Sequence, residues 1–261
     1  MPIIELADLN VGGIEPYFGL TERGLRRDGI FVAESPNVIE RAMDAGVSPL
    51  SFLCERKHIG GDARRLLERY PEVPVFTGQR ELLREITGYE LTRGVLCAMK
   101  RPKPIESEAL IKEAKRLCVV YEVCDSTNIG IIFRTAAALG FDAVILSKGS
   151  CDPLTRRTIR VSMGAVFQIK WAFSEDIVTE LKRASFEMVS TALKSESISL
   201  SDFRVEKGGR YAVIFGGEGY GLPDGVIAKC DFTVTIPMHG GVDSLNVGAA
   251  AAITLWHFRP Q

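Results

Sequence analysis

Three short segments of this chain hold residues whose types and spacing could do chemistry. The first reads Asp125-Ser126-Thr127-Asn128-Ile129-Gly130-Ile131-Ile132-Phe133-Arg134 and follows an apolar strand that ends in Tyr121-Glu122-Val123. Asn128 falls where a strand turns into a helix, and the unpaired N–H groups of a helix start favour anions and polar ligands. Arg134 lies in the largely apolar run IGIIFRTAAALGF. A full charge there is costly unless it is paired or faces a site. The plainer alternative is a capping Asn and a salt-bridged Arg. The second segment, Gly216-Gly217-Glu218-Gly219-Tyr220-Gly221-Leu222-Pro223, sets glycines around a lone carboxylate at a strand end. Glycines let backbone approach a ligand closely or adopt positive φ. They also make tight turns, but a tight turn alone gives Glu218 no reason to be there. The third, Ile236-Pro237-Met238-His239-Gly240-Gly241-Val242-Asp243-Ser244-Leu245-Asn246, runs from a strand through a Gly-Gly loop into an Ala-rich helix. Asp243 or Ser244 is the expected cap of that helix. Its small residues require something to pack close against it. Ser244 and Asn246 in its first turn are candidate ligand or substrate groups.

Alternating strands and helices must position these segments. In the first third, strands are expected at Gly29–Glu34, Ser51–Cys54, Val73–Phe76 and Gly94–Met99. Between them fall a helix opened by Pro36 and closed by Gly46, one capped by Asp62, and one closed by Gly88. Residues 100–108, KRPKPIESE, carry two prolines, mixed charge and no apolar period, which suits a linker. Beyond it, strands are expected at Leu117–Val123, Asp142–Ser147, Ala165–Ala172, Glu187–Leu193, Tyr211–Gly216 and Phe232–Pro237, then a long helix over Ser244–Phe258. Near-continuous apolar strands of this kind suit a parallel sheet covered on both faces. The fold class is therefore α/β.

Composition bounds the function. Lys+Arg number 32 against 33 Asp+Glu, a formal net charge of -1, with 46% hydrophobic and 25% charged residues. Disorder requires lower hydrophobicity and higher net charge. A near-zero charge also weakens a simple picture of a globally basic nucleic-acid binder. The apolar runs are too short for a transmembrane helix, and the opening MPIIELADLNVGG does not read as a secretory signal. Cys54, Cys97, Cys118, Cys124, Cys151 and Cys230 are scattered, and His58, His239 and His257 stand far apart. Buried thiols in a reducing cytoplasm are expected, and a metal site is not. The dinucleotide G-x-G-x-x-G, the P-loop and the hydrolase G-x-S-x-G elbow are all missing.

Taken in order, the three segments resemble the SpoU/TrmH branch of the SPOUT RNA methyltransferases. That branch carries N-x-G-x-x-x-R, G-x-E-x-x-G-[LM] and I-P-M-x-G-x-x-x-S-L-N-V motifs, which stand here at Asn128–Arg134, Gly216–Leu222 and Ile236–Val247. The likeness spans roughly residues 117–258, and residues 29–99 look more loosely like the family's ribosomal-protein-like α/β/α domain. The resemblance implies an RNA substrate-binding domain over 1–99, a linker over 100–108, and a SPOUT α/β trefoil-knot domain over 109–261. It implies S-adenosylmethionine as cofactor. Gly216, Ile236 and Leu245 match the family's cofactor positions, with Leu193, Gly217, Met238 and Ser244 as further contacts. The implied reaction is methylation of a ribose 2′-hydroxyl in structured RNA, ribosomal RNA ahead of transfer RNA. Arg134 is the family's key residue, acting either as a base or by positioning the hydroxyl; free guanidinium stays protonated in proteins. Asn128, Glu218, Ser244 and Asn246 would orient it, the ribose or the cofactor. Basic clusters at Lys100 and Arg101, at Lys112, Lys115 and Arg116, and at Arg156, Arg157 and Arg160 are the candidate RNA contacts, the last preferred. A cytoplasmic homodimer is expected. The rival readings are a methyltransferase of another RNA or another atom, a non-catalytic RNA-binding or ribosome-assembly protein on the same fold, and a nicotinamide-dependent oxidoreductase, which the missing fingerprint disfavours.

Overall fold

A computed structural model describes residues 1–18, 22–91, 94–242 and 244–260. The first elements are β1 (Ile3–Glu5), α1 (Glu22–Arg27), β2 (Ile30–Glu34), α2 (Pro36–Asp44), β3 (Pro49–Cys54), α3 (Arg56–Ile59), α4 (Arg64–Glu68), β4 (Val75–Thr77), α5 (Arg80–Thr87) and β5 (Val95–Lys100). They continue as α6 (Ser107–Glu113), β6 (Arg116–Tyr121), α7 (Ser126–Ala138), β7 (Ala143–Ser147), α8 (Arg156–Val161), β8 (Lys170–Ser174), α9 (Ile177–Arg183), β9 (Glu187–Thr191), β10 (Ile198–Ser199), β11 (Tyr211–Gly216), α10 (Asp224–Ile227), β12 (Phe232–Thr235) and α11 (Val247–Phe258).

One compact unit comprises Met1–Lys103 together with Leu154–Phe167. Its sheet runs β1-β4-β3-β5-β2. The β1, β4 and β3 pairings are parallel, and β5 lies antiparallel to both β3 and β2. Tyr17 fills the core beside Leu53, Phe76 and Leu96. Its buried hydroxyl bonds Ser51 O at 2.8 Å and accepts from Ala98 N at 3.1 Å, so the phenol costs no unpaired polar group. Pro36 opens α2 with Val38, Ile39, Ala42 and Met43 on its buried face, as the spacing predicts. Gly88 closes α5 in the left-handed conformation, φ 79°. Asp62 does not cap a helix. Arg56–Ile59 already forms a turn ahead of it, and its carboxylate pairs with His58 Nδ1 at 2.7 Å. The Leu154–Phe167 segment adds α8 and a 3-10 turn over Ala165–Phe167. Phe167 packs on Phe31 at a centroid distance of 5.7 Å, and Arg41 Nη1 donates to Met163 O. Positive φ at Met163 and Gly164 breaks the expected Ala165–Ala172 strand, so β8 starts only at Lys170.

The other unit comprises Pro104–Pro153 and Gln168–Gln261. Its seven strands run β10-β12-β9-β11-β6-β7-β8, every neighbouring pair parallel. The central strands β6 and β11 are buried on both faces, which explains their unbroken apolar sequence. Val119, Ile145, Met188, Ala212 and Ile214 share a core with Leu181 and Leu110 from the helices. Helix α11 packs against α7 and β11. A Cβ at Gly248 would come 2.9 Å from Ile131 Cγ2, so the small residues of α11 do serve a close helix contact. Arg116, grouped by sequence with a basic cluster, is only 7% exposed. Its Nε donates to Phe258 O at 2.9 Å, and its guanidinium lies over the Tyr211 ring at 4.9 Å. It is a clamp inside this unit rather than a solvated charge.

Candidate active site

The C-terminal ends of parallel strands are where open α/β sheets bind ligands. Here the ends of β9, β11 and β12 enclose a cavity of about 590 Å³. Thr191–Lys194 follow β9, Gly216–Glu218 and Tyr220–Leu222 follow β11, and Ile236, Met238 and Ser244–Val247 follow β12. Leu193, Gly216, Gly217, Ile236, Met238, Ser244 and Leu245, singled out from sequence, all line it. Leu193 and Leu245 are 57% and 37% exposed, apolar side chains held open at the mouth.

Glycine is obligatory where the loop after β11 turns. A Cβ on Gly216 would fall 2.4 Å from Gly221 C and 2.5 Å from Leu222 N. One on Gly217 would fall 2.5 Å from Glu122 O. Gly217 O accepts from Gly221 N at 2.9 Å, which closes the turn. The cavity wall is therefore bare backbone, with N–H and C=O groups within reach of whatever fills it.

Beside the cavity, the three sequence segments meet in one polar node. Asn246 Nδ2 donates to Asn128 Oδ1 at 3.0 Å and to Glu218 Oε1 at 2.8 Å. Asn128 Nδ2 also donates to Glu218 Oε1. Asn128 is 4% exposed and held at the start of α7 by its N–H bond to the capping Asp125. Asn246, not Ser244, caps α11: its Oδ1 accepts from Gly248 N at 2.9 Å. Asp243, the other expected cap, lies outside the described residues. The node thus ties residues 90 and 118 positions apart, and each amide uses both its donor and its acceptor.

Arg134 does not join the node. It is exposed on α7 and makes no hydrogen bond or ion pair among the described residues. Helix α7 buries Asn128, Ile129, Ile132, Phe133 and Ala136 and turns Arg134 to solvent, so the charge avoids the burial cost without a protein partner. Its guanidinium is left to meet something from outside. Of the other cations, Lys100 and Arg157 are exposed, and Arg101 and Arg160 are half-buried. Arg156 stacks on the Tyr89 ring at 4.4 Å within its own unit. Burial pushes the Tyr89 hydroxyl up to about 12.

Among the cavity-wall residues that sequence reasoning did not single out are Lys194 and Tyr220. Lys194 bonds Asp224 Oδ1 at 2.7 Å, which holds its amine above the ordinary value. Tyr220 stands fully exposed on the glycine-rich turn. The only sequence signal for Lys194 is its place after a strand, and an aromatic residue among glycines is the signal for Tyr220. Among the described residues, no group of three or more His, Cys, Asp or Glu could hold a metal ion, and no helix is long and apolar enough to cross a membrane.

A parallel sheet with a glycine-walled cavity at its strand ends, beside a node that joins three loops, defines an α/β fold with a ligand site at the strand C-termini. An AdoMet-bound rRNA methyltransferase from Sinorhizobium meliloti shares the fold, with a TM-score of 0.83 at 23% identity, over 98% of this chain and 97% of that one. The chain belongs to the SpoU rRNA Methylase family, whose profile matches residues 115–256. It is 32% identical over 242 residues to the 23S rRNA (guanosine(2553)-2'-O)-methyltransferase RlmP of Bacillus subtilis, covering 92% of each. It is also 32% identical over 237 residues to Rv0881 of Mycobacterium tuberculosis, an uncharacterized tRNA/rRNA methyltransferase, covering 87% of this chain and 80% of that one. The chain is accordingly an S-adenosylmethionine-dependent RNA methyltransferase.

Proposed function

We propose that the protein methylates a ribose 2′-hydroxyl of ribosomal RNA. The observation that carries this is the juxtaposition of a glycine-walled cavity with the Asn128–Glu218–Asn246 node, with Arg134 left unpaired among the described residues. The cavity fits the cofactor chemically. Leu193, Ile236, Met238 and Leu245 offer apolar surface, and Gly216 and Gly217 offer backbone where a Cβ would intrude. Bound there, S-adenosylmethionine would supply a methyl group carried on a sulfonium. Ser244 would hold it from the loop ahead of α11.

A 2′-hydroxyl is a weak nucleophile and must be oriented and relieved of its proton as it attacks. Arg134 positions the ribose by binding the adjacent phosphate, because a guanidinium stays protonated and matches phosphate oxygens with a fork of donors. The node fixes the start of α7 to the two cavity loops, so substrate held by Arg134 is registered against the cofactor pocket. Asn128, Glu218 and Asn246 are positioning residues in this reading. Lys100, Arg101, Arg157 and Arg160 extend the phosphate contacts. The N-terminal unit binds the RNA. Ribosomal RNA is preferred to transfer RNA because RlmP of B. subtilis, aligned over nearly its whole length, is named for 23S rRNA. A cytoplasmic homodimer, with its cavity loops threaded as a knot, completes the proposal. Exposed Ile253 and Trp256 on α11 supply apolar surface for a second copy.

The test is Arg134→Ala. Arg134 is exposed and makes no bond among the described residues, so the variant folds and binds S-adenosylmethionine with wild-type affinity in calorimetry. Transfer of tritiated methyl to unmodified rRNA falls at least about hundredfold. Near-wild-type turnover refutes the assignment, and a wild-type protein that binds the cofactor yet transfers nothing returns the non-catalytic alternative.

A further inference from the structure

Tyr220 lines the active-site cavity, yet its side chain stands fully in water. Single apolar side chains in water are ordinary on a protein surface, so exposure alone says little. The placement of this one says more. The turn from Gly216 to Leu222 is anchored at its base. Gly221 N donates to Gly217 O at 2.9 Å, which pairs the two arms of the turn. Gly216 and Gly217 lie against backbone that leaves no room for a Cβ, and Leu222 is buried in the core of this unit. The crest is open: a Cβ at Gly219 would meet nothing within 4 Å. Tyr220 is thus carried on a short, fixed lip. Among the described residues, its ring makes no aromatic or cation–π contact and its hydroxyl no hydrogen bond. The turn has no structural use for the side chain.

The same turn borders both sides of the site. Gly216 and Gly217 face the cavity, and Glu218 joins Asn128 and Asn246 at the start of α7, the helix that bears Arg134. Small-molecule sites cover most of their ligand's surface. The enclosing surface here is the bare backbone of Gly216 and Gly217 with Leu193, Ile236, Met238 and Leu245. A ring with none of its own surface covered stands outside that enclosure, at the mouth where RNA arrives.

A ribose can bring its 2′-hydroxyl to a methyl group inside this cavity only if its nucleotide leaves the stack of its neighbours. The base then loses its stacking partners, and aromatic side chains are the usual replacement. They accept any base, because every base has a π face. Tyrosine has only two side-chain torsions to fix, so little entropy opposes the contact. We infer that Tyr220 is the stacking platform for the base of the nucleotide whose ribose is methylated. This rests on the ribose-methylation reading above.

The experiment uses the full chain. Wild type first marks its site on unmodified rRNA transcripts, located by mass spectrometry after digestion, and an RNA fragment spanning that site then serves as substrate. Tyr220→Ala melts with wild type and binds S-adenosylmethionine with wild-type affinity in calorimetry. Its kcat/KM on the fragment falls about fivefold to hundredfold, the worth of one base–aromatic stack. Tyr220→Phe, which keeps the ring and drops the hydroxyl, recovers that loss. A fragment with an abasic ribose at the marked position slows wild type by the same factor and slows Tyr220→Ala no further. A purely structural role would not make the loss depend on the base. Weaker S-adenosylmethionine binding in Tyr220→Ala would put the ring on the cofactor's adenine and overturn the inference. So would a kcat/KM within about twofold of wild type, or an abasic fragment that slows Tyr220→Ala as much as it slows wild type. Each of those outcomes leaves ribose methylation standing. A wild type that binds the cofactor but forms no 2′-O-methyl nucleoside on any transcript overturns that reading and the inference with it.

Discussion

The polar node can be taken apart at Asn246, because that one side chain performs separable tasks. Its Oδ1 caps α11, and its Nδ2 bonds both Asn128 and Glu218. Asn246→Ala removes all of these. The lost cap costs about 1 kcal/mol. Stranding the buried Asn128 Oδ1 costs about 1–2 kcal/mol, the penalty for a desolvated acceptor left without a partner. The bond to Glu218 is solvent-exposed on both sides and adds about 0.5 kcal/mol. Urea unfolding at pH 7 should therefore show a loss of roughly 2–4 kcal/mol. Calorimetry should show weaker S-adenosylmethionine binding, since Asn246 lines the cavity. Asn246→Asp separates the tasks. It keeps the cap but replaces the donor with an acceptor facing the Glu218 carboxylate, and two charges about 4 Å apart in water repel by about 1 kcal/mol. The folded variant holds a proton on that pair more tightly than the unfolded chain does. Protons bound preferentially to the folded state make stability fall as pH rises, so the deficit shrinks on acidification from pH 7 toward about pH 4. Asn246→Ala shows no such recovery. A loss below about 0.5 kcal/mol in Asn246→Ala, or identical pH profiles for the two variants, would refute the view that the node braces the site.

Other substitutions test the steric and electrostatic readings. Gly216→Ala drives a methyl into backbone at 2.4–2.6 Å and should cost about 3 kcal/mol or more with loss of cofactor binding, whereas Gly219→Ala, with open space around it, stays within about 0.5 kcal/mol in the same unfolding assay. Ser35 sits at φ 80°, ψ 143° without a capping bond, so Ser35→Gly should raise stability by about 1 kcal/mol. Burial pushes the Cys54 thiol up to about 12, above its unfolded value. Its contribution is fully present below about pH 8.5 and is lost as pH rises toward 12, visible as a falling urea midpoint. A thiol reagent at pH 8 should label exposed Cys124 at once and reach Cys54, Cys97 and Cys118 only on unfolding.

The parts of the site legible in sequence are those where local sterics speak. Gly216 and Gly217 are glycine because backbone crosses them, and a run of glycines after an apolar strand announces that without a structure. The strands β6 and β11 are legible because both faces are buried and the apolar run is unbroken. What sequence could not supply is pairing at a distance. Nothing near Asn128 says that Glu218 and Asn246 are its partners. The same gap hid the true cap of α11: Ser244, Asp243 and Asn246 are all good caps by type, and only Asn246 reaches Gly248 N. Charge was misjudged for a related reason. Arg116 reads as one of a solvated basic cluster, yet Tyr211 and Phe258, far along the chain, bury it. Arg134 reads as embedded in apolar sequence, yet the helix turns it outward.

That last reversal bears on mechanism. Glu218 is the obvious counter-ion for Arg134, and a Glu218–Arg134 pair would hold the guanidinium in place at the expense of its donors. The structure answers the Glu218 carboxylate with the neutral amides of Asn128 and Asn246 instead. Amides orient a carboxylate without adding charge, so Glu218 braces three loops and Arg134 keeps its donors for a phosphate. A lysine at 134 would keep the charge but lose the fork. Arg134→Lys should therefore retain RNA affinity and its salt dependence while losing turnover, which a filter-binding titration and a methyl-transfer assay run side by side would separate. Equal turnover in Arg134→Lys would mean that charge alone suffices at this position and that the geometry of the guanidinium is not used.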